Sequence, residues 1–243
     1  MKDKINKIIK QMSDYKEQTN CKGVVLGVSG GKDSYTVAML AKLVFGDNVI
    51  GVYMPHKKYT YEEEGKIRNF CDCINIKYLC VPIIDSYNTT IDLINDNSES
   101  EFLNEKTKTN IPPRLRMLTI YAIAQNSGFR VIGTGNKSES YLGWTTKYGD
   151  SACDFNPIGD YTCTEVVQIG RKLCNIFNIK EDIILLPPSD GLCGKSDEES
   201  FGFTYKELDN YILYGKKSDN FEKISLMNKI TKHKREMPLT FEK

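Results

Sequence analysis

The chain has 243 residues, 40% of them apolar, and its 33 Lys and Arg nearly balance its 32 Asp and Glu, for a formal net charge of +1. That length fills one core, so a single domain over residues 1–243 is expected. A near-neutral charge supplies no global field for nucleic acid or an anionic membrane, so neither is expected as a partner and any charge-based function is local.

The N-terminus is lysine-rich, with Ile5, Ile8, Ile9 and Met12 at helical spacing. It lacks the apolar segment and cleavage site of a leader, and no run approaches a membrane span, so a cytoplasmic protein is expected. Residues 24–28 are β-branched and aliphatic, as in a strand buried on both faces of a parallel sheet. Val37, Leu40, Ala41 and Val44 then repeat at helical spacing.

Between them, Gly27-Val-Ser-Gly-Gly-Lys-Asp-Ser34 forms a polar turn at a helix start. Unpaired N–H groups and the helix dipole there favour an anion. Gly27, Val28, Gly30 and Gly31 offer backbone, Ser29 and Ser34 offer hydroxyls, and Lys32 offers charge. Asp33 would repel a bare phosphate but accept one that carries a divalent cation, so the turn points to a nucleotide with a metal ion. It is not a Walker A loop, because Leu26 replaces that motif's first glycine and Asp33 follows Lys32 where Ser or Thr belongs. The turn resembles the SGGxDS loop of the N-type ATP pyrophosphatases, which cut ATP between its α- and β-phosphates.

Residues 49–54 read as a second strand and residues 78–84 as a third, which Pro82 places at an edge. A helix built on Ile67, Phe70, Cys71 and Ile74 lies between them. The alternation predicts an α/β fold: a doubly wound, Rossmann-like parallel sheet with helices on both faces and ligand at the carboxyl ends of its strands. The eight cysteines form no C-x-x-C pair and read mostly as small buried hydrophobes, and Cys71-Asp-Cys73, within that helical pattern, does not read as a metal site.

Residues 95–110 are nearly all polar and predict a mobile excursion or a short surface helix. Pro112 and Pro113 open a helix whose buried stripe is expected at Leu115, Leu118 and Ala122. Arg114 and Arg116 stand in its first turn, where they are either solvated or meet a second anion.

In Phe129-Arg-Val-Ile-Gly-Thr-Gly-Asn-Lys-Ser-Glu139 a strand again runs into glycines and a helix start. Thr134 can contact a nucleotide, and Glu139 can share a cation with Asp33. Residues 141–160 lack periodicity and hold the charged candidates Lys147, Asp150 and Asp154. Asp150 either acts as a general base or caps its own turn. His233, within Lys232-His-Lys-Arg235, reads on composition as part of a solvated basic tail. Leu208, Tyr211, Ile212, Phe221 and Ile224 mark the last helices.

Taken together, Gly133-Thr-Gly-Asn-Lys-Ser-Glu139, Thr146-Lys-Tyr-Gly-Asp150, Cys153-Asp-Phe-Asn-Pro-Ile-Gly-Asp160, Pro187-Pro-Ser189, Ser196-Asp-Glu-Glu199 with Gly202-Phe-Thr-Tyr-Lys-Glu-Leu-Asp209, and His233-Lys-Arg235 resemble, in order, the motifs of the ammonia-dependent NAD synthetases. The resemblance implies amidation of deamido-NAD by ammonia through an adenylate, with ATP as co-substrate and AMP and pyrophosphate as products. It implies that residues 27–34, Thr134 and Ser189 contact ATP and that Asp33 and Glu139 hold magnesium. It further implies that Arg114, Lys147, Asp154, His233 and Lys234 contact the dinucleotide, in a homodimer whose interface lies near that substrate. With no length left for a glutaminase domain, free ammonia or a partner is expected to supply the nitrogen.

Two departures stand out. Cys163 replaces a lysine that the family uses on ATP phosphate, and Lys32 stands where the family commonly has an uncharged residue. Cys193 and Lys195 also differ from the family's usual residues, which leaves open a shifted substrate. Other readings are an ATP pyrophosphatase acting on a different carboxylate or on a nucleobase, and a nucleotide sensor of the same fold that has lost turnover. Residues 189–203 are expected to form a lid, because an adenylate open to water would hydrolyse.

Overall fold

A computed structural model describes residues 1–98, 103–185 and 196–241, apart from the side chain of residue 106. At its centre lies a four-stranded sheet in the order β3-β2-β1-β4, formed by β1 (Val24–Gly27), β2 (Val49–Tyr53), β3 (Lys77–Cys80) and β4 (Arg130–Val131). All three pairings are parallel: Val24 is opposite Val49 and Arg130, and Ile50 is opposite Lys77. β3 is an edge strand and ends before Pro82, whose missing N–H could not extend the ladder.

Alternation along β1 divides the core. Val24, Leu26 and Val28 face one cluster together with Ile8 of α1 (Lys2–Gln18), Leu40 of α2 (Lys32–Phe45), Phe70 of α3 (Tyr61–Cys73) and Ile169 of α8 (Cys163–Phe177). Val25, Ile50 and Val52 face the other, against Ala124 of α6 (Ile111–Ser127). Both sheet faces are thus covered, which is why β1 reads as an unbroken apolar run.

Within α6 the expected stripe is displaced. Leu118 and Ala122 are exposed, and the side that meets the sheet carries Leu115, Ile120, Tyr121, Ile123 and Ala124. Apolar residues occur all round this helix, so spacing alone did not select the inner face. The polar stretch after α4 (Ile84–Asp96) contains the short helix α5 (Glu105–Lys108), capped by Asn104.

A third cluster is built by the end of the chain: Leu142 of α7 (Lys137–Leu142), Phe201 of α9 (Asp197–Phe201), Tyr205 and Leu208 of α10 (Tyr205–Tyr214), and Ile224 of α11 (Phe221–Ile230). Phe201 and Phe203 are buried in it, so the end of the expected lid segment belongs to the packed interior. Ser189, Cys193 and Lys195 lie outside the described residues. No helix among the described residues is long and apolar enough to cross a membrane.

Helices α2 and α8 approach closely at Gly170, where a Cβ would lie 2.5 Å from Thr36 Oγ1 and 3.1 Å from Ile184. Gly170→Ala is expected to destabilise the fold by about 1–3 kcal/mol through overpacking, read as a lower urea midpoint with an unchanged m-value. An unshifted midpoint would show that the two helices can part without cost.

Candidate active site

The chain leaves β1 for β2 on one side, and β4 joins β1 on the other. The crevice of this sheet therefore opens between the carboxyl ends of β1 and β4, where strand order reverses. The turn 27–31 enters α2 on one side of it, and residues 133–136 enter α7 on the other. Both of the anion-facing loops read from sequence meet there.

In the first loop Gly30 has φ +85°, a left-handed conformation that favours glycine. The two serines close the turn on itself. Ser34 Oγ donates to Gly31 O (2.9 Å), Ser29 N donates to Ser34 Oγ (3.3 Å), and Gly31 N donates to Ser29 Oγ (3.3 Å). The backbone is thereby shaped before any ligand arrives.

In the second loop Asn136, fully buried, is the N-cap of α7. Its Oδ1 accepts from Glu139 N and the Glu139 carboxylate accepts from Asn136 N, both at 3.0 Å, a reciprocal capping box. Asn136 Nδ2 then donates to Asp33 Oδ1 at 3.2 Å. One amide thus couples the two candidate metal carboxylates across the crevice. Sequence reading missed Asn136, although Asn-x-x-Glu before a helix is a readable signature.

Burial first, and then the nearby Asp33 carboxylate, push the Glu139 carboxyl well above the usual carboxylate range. Two buried carboxylates this close call for positive charge, which a divalent cation can supply. Among the described residues no group of three or more His, Cys, Asp or Glu is arranged to hold a metal. Two carboxylates fit magnesium, which takes one or two protein ligands and completes its shell with phosphate and water.

Part of the missing charge comes from Lys32. Its side chain is 3% exposed, and its Nζ lies 2.6 Å from Asp33 Oδ2 and 5.7 Å from the centre of the Tyr205 ring. Burial alone would lower the Lys32 ammonium, but the Asp33 carboxylate beside it, and also Glu139, raise it. Cys163 is within the electrostatic reach of Lys32, and burial keeps its thiol protonated. The added lysine and the position that lacks one therefore share one space. Asp197 completes the floor, accepting from Tyr205 Oη (2.8 Å) and Trp144 Nε1 (3.1 Å).

Four of the five candidate substrate contacts form a second group. Arg114 Nε donates to Lys147 O (3.4 Å), Lys147 Nζ donates to His233 O (2.6 Å), and Lys234 Nζ donates to Gly143 O and Thr145 O (both 2.7 Å). This basic rim borders a cavity of about 210 Å³ whose lining includes Asn136, Thr145, Asp150, Cys153 and Lys234. Asn136 thus belongs both to the cavity and to the carboxylate pair.

Asp150 Oδ1 accepts from Thr146 N at 2.8 Å, so the turn-capping role is present, on a residue that is itself exposed. Thr134 is half-buried beside the crevice. Asp154 stands apart from both groups: exposed at the sheet edge, it accepts from Val131 N at 2.7 Å. Arg116 is half-buried and donates to Met54 O and His56 Nδ1, both at 3.1 Å.

A model of the NAD synthase family matches residues 4–238. The NH(3)-dependent NAD(+) synthetase of Finegoldia magna is 36% identical over 97% of this chain and 94% of its own length. That of Carboxydothermus hydrogenoformans is 35% identical over 97% and 96%. Among solved structures, an NMN synthetase from Francisella tularensis overlays with a TM-score of 0.88 at 30% identity, covering 98% of this chain and 97% of that one. An NH3-dependent NAD synthetase from Campylobacter jejuni overlays at 0.75 and 26% identity, covering 99% and 98%. The chain belongs to the NAD synthase family, a family of ligases on the PP-loop version of the Rossmann-like fold.

Two measurements follow from this geometry. Asn136→Ala is expected to cost about 1 kcal/mol of stability as a lost cap, and Asn136→Ser, which can still cap, to recover most of it in urea unfolding. His56 is held down to about 4, chiefly by burial and then by Arg116 and Lys57. The unfolded chain therefore binds the extra proton first, and this contribution to stability is complete above pH 6.5 and is lost as pH falls toward 4. His56→Gln should flatten the stability profile in that window; an unchanged profile would place the loss on other groups.

Proposed function

We propose that this member of the NAD synthase family amidates the nicotinate carboxylate of deamido-NAD with ammonia, converting ATP to AMP and pyrophosphate. The observation that carries the mechanism is the Asp33–Asn136–Glu139 bridge at the switch point, beside an open phosphate turn. The same reading takes residues 1–243 as one working unit in the cytoplasm.

In the first half-reaction a carboxylate oxygen of the acceptor attacks the α-phosphorus of ATP, and pyrophosphate leaves. Anion approaches anion here, so the barrier is electrostatic. The start of α2 after the turn would offer its first backbone N–H groups to the phosphates, Thr134 and the Cys163 end of α8 would border the nucleotide, and Ser189 is proposed as a further ATP contact. Asp33 and Glu139 would hold magnesium, which supplies charge neutralisation for the departing pyrophosphate. In the second half-reaction the ammonia nitrogen attacks the carboxyl carbon of the adenylate, AMP leaves, and one proton is shed. Asp150, which lines the cavity and is held by Thr146 N, would take a proton from ammonium.

Arg114, Lys147, His233 and Lys234 would bind the acceptor's phosphate and ribose along the basic rim. Asp154 would act at the edge of that site, where a second copy of the chain could complete it. A homodimer is supported by α4, which has no fully buried residue, and by the exposure of Leu93 (59%) and Leu118 (64%).

One observation favours a second acceptor. The fold overlays more closely on the Francisella enzyme, whose product is a mononucleotide, than on the Campylobacter dinucleotide enzyme. Nicotinate mononucleotide carries the same reacting carboxylate without the AMP half, so the two half-reactions would be unchanged.

The test is release of AMP and pyrophosphate from ATP and Mg²⁺, with ammonium and either deamido-NAD or nicotinate mononucleotide, following the amide product. Faster turnover with deamido-NAD supports the first acceptor, and faster turnover with the mononucleotide supports the second. Release that ignores both would overturn the acceptor reading. Asp33→Ala should remain folded and lose at least about a hundredfold in turnover; unchanged activity would remove the metal assignment.

A further inference from the structure

We infer that Lys32 is a resident counter-cation of the Asp33–Glu139 pair, which nucleotide phosphate must draw away before Asp33 can take a metal ion. Metal then enters this site with ATP and not ahead of it. The inference rests on the reading of Asp33 as a metal ligand.

Both oxygens of Asp33 are already engaged, Oδ2 by Lys32 Nζ at 2.6 Å and Oδ1 by Asn136 Nδ2 at 3.2 Å. The amide contact is long and belongs to a capping box that would survive its loss. The ammonium contact is short, charged and 3% exposed on the lysine side, and it cannot coexist with a divalent cation on the same oxygen without strong repulsion. Lys32 is also hemmed in: Tyr205 lies beneath it, and Cys163 and Glu139 are in electrostatic reach. A buried ammonium does not leave one anion unless another is offered. Lys32 is the first residue of α2, directly after the phosphate turn, so a nucleotide phosphate is the anion within reach of its flexible stem. Lys32 thus exchanges carboxylate for phosphate in the step that frees Asp33.

The test uses the full chain without nucleotide, titrated with Mn²⁺ and read by the loss of free-ion electron paramagnetic resonance signal. Lys32→Met should bind Mn²⁺ at least about tenfold more tightly than the wild type, a ratio within the usual range for coupled sites. The gain should vanish in Lys32→Met with Asp33→Asn. Lys32→Gln serves the same purpose if the methionine variant does not fold. Equal Mn²⁺ affinity in the wild type and a folded charge-free variant overturns the inference. Whether the underlying reading survives is decided separately with a non-hydrolysable ATP analogue. If Asp33→Asn weakens Mn²⁺-dependent binding of that analogue, Asp33 remains a ligand and only the lysine exchange falls. If the substitution changes nothing, both fall.

Discussion

The site depends on two carboxylates held on opposite sides of one crevice. Such a pair is unfavourable by itself, since burial and mutual repulsion both disfavour the charged forms. The fold tolerates it because neither carboxylate is free to turn away. Glu139 is fixed by the capping box that starts α7, Asp33 stands in the first turn of α2, and Asn136 joins them. The start of α7, the placement of the second carboxylate and the link to the first are therefore one set of hydrogen bonds. A structural cap has become the hinge of the electrostatics.

Sheet topology makes that link possible. Only because β4 pairs with β1, in register from Val24 and Arg130, do loops about a hundred residues apart in sequence end side by side. The short β4 is extended by a parallel bridge between Ile132 and Phe155, and Gly133 N donates to Phe155 O at 2.8 Å. Asp154, adjacent to that bridge, is therefore spent partly on holding the edge. Its position away from the other acceptor contacts is a consequence of this architecture.

Much of this was legible in the chain. The buried run of β1, the glycine turn and the periodicity of α2 were visible because each is a local property, and the edge position of β3 followed from Pro82. What could not be read locally was facing. Spacing in α6 pointed to Leu118 and Ala122, yet apolar residues surround that helix and only the sheet decides which are covered. Arg116 likewise read, from its place in a helix first turn, as either solvated or an anion ligand. Its partners, Met54 O and His56, come from the loop after β2 and are distant in sequence. Asn136 is the reverse case: the capping signature was readable, but its second bond, to Asp33, was not.

Lys32 and Cys163 show why charge must be counted in space. Read along the sequence, one departure adds a cation to the phosphate turn and the other removes one from the start of α8, and they look like independent changes. In the fold both side chains reach the region above Tyr205 and beside Glu139, so the neighbourhood still contains one lysine. In this chain that lysine stands at the start of α2. A cation on α8 would approach the crevice from its far wall, whereas Lys32 approaches from the turn that also carries Asp33, and the two residues are adjacent in the chain. Adjacency makes their contact nearly unavoidable when no phosphate is present, since a four-carbon stem can always fold back onto a neighbouring carboxylate. Moving the cation to the turn therefore ties the availability of Asp33 to the presence of phosphate, a dependence that a cation on α8 would not impose.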